Sequence, residues 1–136
     1  MALRYAGPDT MLFPLIGARL HGWLDDLVVL LYLVGAFVVG LRGGALAVAV
    51  SGATVHFTLT RFTNYPQGAF KLIPFRVHAF IELGEGLAVL SATLAFAGDR
   101  PLAQRVFLML MGASQLGAFA LSDYGPATRQ PKAASA

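Results

Sequence analysis

The chain alternates between long apolar runs and short polar or turn-forming stretches. Four runs are long enough to cross a bilayer, at positions 22–41, 45–60, 78–97 and 103–122. An α-helix of 20 residues rises about 30 Å, which matches the thickness of the hydrocarbon core. Backbone groups in lipid must form their hydrogen bonds within the segment, so such runs form helices rather than strands. The pattern predicts an all-α protein, a bundle of four transmembrane helices.

Turn signals arrange the four runs into two helical hairpins. Gly43-Gly44 separates the first pair of runs, and the Gly-Asp-Arg-Pro stretch at 98–101 separates the second pair. A longer link, 63–77, joins the hairpins. We expect an interfacial lead-in at 1–20, a four-helix membrane domain at 21–124 and a loosely ordered tail at 125–136, where Pro, Ala, Ser and charged residues accumulate.

Composition supports a membrane protein over a soluble one. Hydrophobic residues make up 57% of the chain and charged residues 12%, whereas soluble domains carry about 25% charged residues. The net charge of +3 does not predict a nucleic-acid partner, because the basic residues flank the apolar runs. The chain has no cysteine, which excludes disulfide and thiolate chemistry. The expected surroundings are a lipid bilayer.

The basic residues also predict an orientation. Cytoplasmic loops of membrane proteins carry an excess of Lys and Arg. The side of the membrane away from the N-terminus is predicted to hold only Arg42, Arg100 and Arg105. We therefore predict a protein of the bacterial cytoplasmic membrane with both termini in the cytoplasm. The side of the N-terminus holds the larger set, Arg4, Arg19, Arg61, Lys71, Arg76, Arg129 and Lys132.

The two hairpins carry similar sequences. Residues 13–25 align without a gap with residues 70–82, sharing Phe, Leu, Ile, Arg and His, with Asp25 opposite Glu82. The hairpin ends agree more weakly, Phe-Thr-Asn-Tyr at 62–65 against Leu-Ser-Asp-Tyr at 121–124. Both copies start on the same side, so the alignment predicts a parallel repeat of about 13–65 and 70–124. A parallel repeat places a pseudo-two-fold axis along the membrane normal.

The second copy resembles a known family of small bacterial membrane proteins. In the sequence IPFRVHAFIE at 73–82 and GLAVLS at 86–91, a His and an acid open a helix that runs through a Gly to a Ser. This arrangement resembles the SPW-repeat membrane proteins, although Ser91-Ala-Thr stands where that family has Ser-Pro-Trp. The resemblance implies the fold and little about activity.

Histidines and acids near the starts of the first and third runs could form a site. His21 and Asp25 are four residues apart and share a helix face, as do His78 and Glu82; Glu85 lies deeper. A carboxylate at the bilayer centre costs roughly 2.5–3.5 kcal/mol, so these groups should face the bundle. Because the two copies lie at equal depth, the motifs should meet near the cytoplasmic end. They could bind zinc, iron or manganese or carry protons.

A purely structural role is the alternative for the same residues. Each His could hydrogen-bond its own acid, or the interfacial Arg19 and Arg76 could pair with the acids. His56, in the second run, falls opposite Gln115 in the repeat alignment. Because Gln is a poor haem ligand, an interhelical hydrogen bond is favoured for His56 over a bis-His haem or a proton relay.

The sequence leaves three classes of function open. Short outer loops and the lack of a recognisable catalytic motif favour a non-catalytic membrane protein that self-associates or serves as a small subunit of a larger complex. Intramembrane His and acids are also typical of a small ion or proton transporter or channel. A metal-dependent or quinone-linked membrane enzyme is the third class.

Overall fold

The computed structural model describes residues 15–95, 98 and 100–125. These residues form four helices, α1 (Ala18–Val38), α2 (Gly43–Phe62), α3 (Phe75–Ala95) and α4 (Leu102–Leu121). Helix α1 packs along α2 and α3 packs along α4, which gives two hairpins; the hairpins then meet through α2 with α3 and α1 with α4. The predicted all-α four-helix bundle is confirmed for the described part of the chain.

The helices begin earlier than hydropathy predicted. Helix α1 starts at Ala18 rather than at position 22, and α3 starts at Phe75 rather than at 78. The apolar runs were cut short at Arg19 and Arg76, which are exposed at the helix starts. A long basic side chain at a helix end can extend its charge towards water while its stem covers apolar surface. The charged Arg19 and Arg76 therefore lie within the first turns of α1 and α3 and do not mark the helix boundaries.

The first turn also differs from its predicted place. Gly43 and Gly44 open α2 instead of forming the turn, which falls at Val39 and Gly40. Gly40 has φ +70°, a left-handed conformation that is strained for residues with a Cβ atom, and Gly43 has φ +55°. Both glycines are needed to end α1 and reverse the chain within a few residues. Pro101 precedes α4, as expected from the second turn signal.

The helices have the length and surface of membrane spans. Among the described helices, α1, α2 and α3 are long and apolar enough to cross a bilayer. Helix α4 has 20 residues, and its polar Gln104, Arg105 and Gln115 lower its apolar content. Large apolar side chains cover the outside of the bundle, including Phe37 at 73% and Leu94 at 73% exposed. This surface suits lipid and makes the chain compatible with an integral membrane protein.

Two short backbone pairings join the hairpins at one end of the bundle. Thr63, after α2, pairs with Ile73, before α3; Ser122, after α4, pairs with Ile16, before α1. Both pairings are parallel, and in each the segment before a helix donates to the last residue of the partner helix. We call this end, where α1 and α3 begin, the site end.

The bundle interior changes character along its length. Away from the site end it is an apolar core, defined here by Tyr32, Ala36, Leu41, Ala45, Ala49, Ala53, Val89, Leu108 and Met111. Alanines spaced four apart let α2 approach its neighbours closely. Towards the site end the buried side chains are mostly polar. Residues 126–136 of the tail predicted at 125–136, residues 1–14 of the predicted lead-in, and the first residues of the aligned stretch 13–25 lie outside the described residues.

Candidate metal centre

The two histidines that open α1 and α3 meet inside the bundle. His21 and His78 are both 0% exposed, and their Nε2 atoms are 3.3 Å apart. Asp25 lies one turn along α1 with its Oδ1 3.3 Å from His21 Nε2 and its Oδ2 3.5 Å from His78 Nε2. Glu82 Oε2 is 3.6 Å from His21 Nε2. One ligand atom from each of these four buried residues lies within 4.8 Å of every other.

Hydrogen bonding determines which nitrogen of His78 carries the proton. The Thr63 hydroxyl donates to the Leu59 carbonyl at 2.7 Å, so its oxygen can only accept from the ring. His78 Nδ1 lies 2.8 Å from that oxygen and must therefore be the protonated nitrogen. The Nε2 atom then presents a bare lone pair to the cluster. This is the tautomer that a metal ligand needs.

His21 is held in a matching way from the other hairpin. Its Nδ1 lies 2.6 Å from the Ser122 hydroxyl oxygen, across 101 positions of sequence. With Nδ1 hydrogen-bonded to a hydroxyl, Nε2 again points to the centre of the cluster. The Ser122 hydroxyl can accept from Nδ1 or donate to it, so His21 either presents an Nε2 lone pair to a metal ion or carries its proton on Nε2 and donates it to His78 Nε2 at 3.3 Å.

The two carboxylates have unequal surroundings. The Tyr65 hydroxyl donates to Asp25 Oδ2 at 2.8 Å. Burial, followed by the charge of Asp25, raises the pKa of Tyr65, so this hydroxyl stays neutral and donates. Glu82 is 1% exposed, and its Oε2 has no hydrogen-bond partner among the described residues. A buried carboxylate oxygen without a donor requires a compensating charge or ligand.

A second polar group extends the cluster along the bundle, away from the site end. His56 on α2 places Nε2 3.3 Å from Asp25 Oδ1 and Nδ1 3.1 Å from Glu85 Oε2. An imidazole donates from both nitrogens only in its protonated form, and both nitrogens face carboxylates here. Gln115 Nε2 then donates to Glu85 Oε1 at 3.2 Å and to the Tyr32 hydroxyl at 3.0 Å. His56 is thus an interhelical link, as the repeat alignment favoured.

The basic residues at the site end lie outside the cluster. Arg19 and Arg76 are exposed, whereas Asp25 and Glu82 are buried. Of the nearby acids, Asp26 pairs with Arg61 on α2. The structural alternative, in which interfacial arginines pair with the buried acids, is therefore not seen at Asp25. The Asp25 carboxylate is instead surrounded by imidazoles and a tyrosine hydroxyl. The cation beside this carboxylate is the protonated His56 rather than an arginine.

The separations of the donor atoms suit one small metal ion. Zinc lies about 2.0–2.2 Å from nitrogen and oxygen ligands, so tetrahedral ligand atoms are roughly 3.3–3.6 Å apart. The His–His contact and the three His–carboxylate contacts given above, which use both oxygens of Asp25, span 3.3 to 3.6 Å, and the full set of one atom per residue lies within 4.8 Å. Two imidazoles and two carboxylates also match iron or manganese in ligand type. The residues present therefore fit a divalent transition metal.

Aromatic side chains cover the cluster at the site end. Phe75 lies edge-on to His21 with ring centroids 4.9 Å apart, and it stacks with Tyr65 at 5.4 Å. Tyr124 contacts Phe75 at 4.6 Å. The three aromatic residues, which we call the aromatic cap, are each less than a tenth exposed. The histidines are therefore screened from water at this end.

Sequence reasoning missed the residues that hold the histidines. Thr63, Ser122 and Tyr65 were not candidate site residues, although all three are buried and hydrogen-bonded within the cluster. The available signal was the weak match of 62–65 with 121–124, which aligns Thr63 with Ser122 and Tyr65 with Tyr124. A hydroxyl repeated one residue after each hairpin could have suggested a partner for each repeated histidine.

Comparisons with protein families, curated proteins and solved structures found no match to this chain. The resemblance to the SPW-repeat proteins therefore stays a prediction. Function has to be argued from the cluster itself.

Proposed function

We propose that this chain is an integral membrane protein that holds a divalent transition-metal ion between its two hairpins. The observation that carries the proposal is the convergence of four buried ligand atoms, from His21, Asp25, His78 and Glu82. The Thr63 hydroxyl supports it, because it fixes His78 in the tautomer that a metal ligand needs, and the Ser122 hydroxyl can do the same for His21 by accepting from Nδ1.

A divalent ion would balance the charge of the proposed ligand set. When both of its carboxylates are ionised, Asp25 and Glu82 bring −2 into the bundle interior, and a single M²⁺ ion neutralises them. Zinc, iron and manganese all meet this requirement. Isolated charges of this kind are costly in a low-dielectric environment. In the metal-free protein a proton on Glu82 would remove part of the same charge, so metal and proton compete for this carboxylate.

The membrane arrangement belongs to the same proposal. Helix α4 equals α2 in length, with 20 residues each, and exposes apolar Leu102, Val106 and Leu110, so we infer that it also crosses the bilayer. The basic asymmetry of the sequence supports a bacterial cytoplasmic membrane with both termini in the cytoplasm, which would put the metal at the cytoplasmic end.

We attribute the matched halves to an internal duplication. Helices α1 and α3 have 21 residues each. The backbone pairings at Thr63 and Ser122 have the same pattern, and each histidine contacts the hydroxyl of the equivalent pairing. In this interpretation the metal lies on the pseudo-two-fold axis, with one His and one acid from each copy.

The interior supports metal retention more than ion conduction. The polar side chains run from His21 to Tyr32, about 16 Å along α1 at 1.5 Å per residue. Beyond Tyr32 lies the apolar core, in which Ala45, Ala49 and Leu108 are 1% exposed or less. Among the described residues, the buried side chains of that half are apolar apart from Thr93, whose hydroxyl donates to the Val89 carbonyl. This favours a bound metal over the transporter or channel considered from the sequence.

Whether the protein is non-catalytic or an enzyme depends on which molecules it binds in addition to the metal. Self-association or membership of a larger complex stays a prediction, and stoichiometric copurification of a partner from native membranes would support it. A metal-dependent enzyme needs a substrate that reaches the metal.

Metal content tests the proposal directly. Protein purified in detergent without a histidine tag and without chelator should contain about one zinc, iron or manganese per chain by elemental mass spectrometry. The double substitution His21→Ala and His78→Ala should reduce this to background, because it removes both nitrogen ligands. Thr93→Val is the control, since Thr93 is buried on α3 but hydrogen-bonds only to the Val89 carbonyl.

Equal metal content in the double variant and the wild type would contradict the proposal. So would metal-free wild-type protein that takes up none of these ions after dialysis against them. Retention of the helical circular-dichroism spectrum by the double variant separates loss of metal from loss of fold.

A further inference from the structure

A groove between α1 and α4 leads from the lipid-facing surface to the proposed metal. It encloses a cavity of about 450 Å³ whose floor includes Asp25 and Glu82. Its walls are mostly apolar, with Ser114 as a polar member, and include Leu24, Leu27 and Leu31 of α1 and Leu110, Gly117 and Leu121 of α4. Three of these leucines are exposed on the outside of the bundle, at 46% for Leu27, 44% for Leu31 and 63% for Leu110. The groove therefore opens where lipid would lie.

At the site end, in contrast, aromatic side chains block the path of water to the cluster. The aromatic cap of Tyr65, Phe75 and Tyr124 lies over the histidines, and all three rings are buried. The unpartnered Oε2 of Glu82 lies on the other side, where the carboxylates line the groove. A ligand in the groove would meet apolar walls along its length and a polar, metal-binding floor.

We propose that the metal centre binds a lipid-soluble molecule with an oxygen-donor head group, which enters from the bilayer through the α1–α4 groove. This inference rests on the proposed metal centre. The head group would contact the metal beside Asp25 and Glu82, and the apolar tail would lie against the leucines of the groove. A water-soluble ligand with the same head group would gain nothing from those walls.

The second interface between the hairpins provides a matched comparison. A groove between α2 and α3, lined by Val48, Ser51, Val55, Gly84 and Glu85, has a similar apolar character. Its charged residue is Glu85, which hydrogen-bonds to His56 and Gln115 rather than belonging to the four-residue ligand set. The α2–α3 groove therefore resembles the α1–α4 groove in form but does not expose the metal ligands.

Two glycines allow each groove to be filled with little strain. A Cβ atom at Gly117 in the α1–α4 groove, or at Gly84 in the α2–α3 groove, would meet no atom within 4 Å. Gly117→Leu and Gly84→Leu are thus equivalent substitutions that place the same side chain in different grooves. Neither residue belongs to the proposed ligand set.

The test uses the full-length protein loaded with Co²⁺ in lipid nanodiscs, because the visible spectrum of Co²⁺ changes when a ligand joins the metal. The probes are a long-chain alkyl hydroxamate, which partitions into the bilayer, and acetohydroxamate, which stays in water. We expect the long-chain probe to shift the spectrum at far lower concentration. Gly117→Leu should weaken its binding by about tenfold or more, and Gly84→Leu should leave it unchanged.

Three results would overturn the inference while the metal centre stands: full Co²⁺ content with no spectral response, equal response to both probes, or equal weakening by the two Leu substitutions. Failure of the wild-type protein to bind Co²⁺, zinc, iron or manganese at all would overturn the metal centre as well. Measuring metal content on every sample distinguishes these failures.

Discussion

At the scale of single residues, the hydroxyl groups beside the histidines are as informative as the ligands. Thr63 donates its proton to the Leu59 carbonyl and so accepts from His78, which fixes the imidazole with its lone pair towards the cluster. In a soluble protein water could replace such a partner. In a buried intramembrane site the imidazole depends on this hydroxyl for both orientation and tautomer.

Thr63→Val should therefore weaken metal binding without unfolding the bundle. Valine is similar to threonine in size but cannot accept from His78 Nδ1, so the affinity should fall by about 10- to 100-fold. Competition with a chromogenic chelator measures this. Thr93→Val is closely matched, since Thr93 is also buried and donates to the carbonyl four residues earlier. If both variants bind metal alike, the hydroxyl has no role in the site.

Glu82→Gln distinguishes a binding role from a structural tie. If Glu82 only tied its helix in place through a charge-assisted hydrogen bond, its loss would cost about 1.5–3 kcal/mol in the metal-free protein. Its Oε2 has no partner among the described residues, so we expect the metal-free variant to be as stable as the wild type or more stable.

Thermal unfolding with and without chelator measures both parts of this expectation. In the wild type the metal should raise the melting temperature, because it binds the folded state alone. In the Gln variant that increase should be small. A clear drop in melting temperature with chelator present in both samples would instead show that Glu82 supports the fold.

At the scale of the helices, glycines set how closely the second hairpin packs. A Cβ atom on Gly86 of α3 would lie 2.9 Å from the carbonyl oxygen of Gly112 on α4, and one on Gly112 would lie 3.0 Å from that of Gly86. The two backbones thus touch where α3 and α4 cross, one turn beyond Glu82. Close crossings of this kind let transmembrane helices associate by packing alone.

Gly86→Ala and Gly112→Ala should each destabilise the bundle by about 1–3 kcal/mol, because the helices must move apart. Gly84→Ala on α3 and Gly117→Ala on α4 are the controls, since their added Cβ atoms meet nothing within 4 Å. Unfolding in mixed micelles with increasing denaturing detergent measures the difference. Equal stabilities for the crossing and control variants would show that the crossing tolerates separation.

At the scale of the whole molecule, the membrane topology depends on whether all four helices cross the bilayer. The chain has no cysteine, so single cysteines can be placed without a background. We expect Gly44→Cys and Gly98→Cys to label from the periplasmic side of intact cells, and Leu72→Cys and Gly125→Cys to label only after permeabilisation. The last pair lies at the site end, and the excess of positive residues predicts a cytoplasmic location for that end.

Labelling of positions 98 and 125 from the same side would show that α4 does not cross. Labelling of positions 44 and 72 from the same side would contradict the hairpin topology. Reversed accessibility of all four positions would keep the fold and invert the orientation, which would place the metal at the periplasmic end.

Much of the architecture is determined by the sequence because the bilayer restricts the choices. A run of about 20 apolar residues has to be helical in lipid, so the four helices could be predicted from run length alone. Helix starts were misplaced by three or four residues at α1 and α3, because arginines at a membrane boundary look like breaks in hydropathy and act as part of the helix.

The sequence also determined which residues would form the cluster. His21, Asp25, His78 and Glu82 could be named in advance because the similar stretches at 13–25 and 70–82 predict equal depth for the two pairs of His and acid, and buried acids must avoid lipid. This prediction depends on helical periodicity and on the free-energy cost of burying a charge in lipid, and both can be assessed from the sequence.

Only the tertiary structure decided how those residues are held. The partners of the histidines, Ser122 for His21 and Thr63 for His78, come from crossed backbone pairings between the hairpins, and one of them spans 101 positions. The double contact of His56 with Asp25 and Glu85 likewise depends on how α2 packs against α1 and α3. Such distances depend on how the helices pack in three dimensions, and the amino-acid sequence of one chain does not show that packing directly.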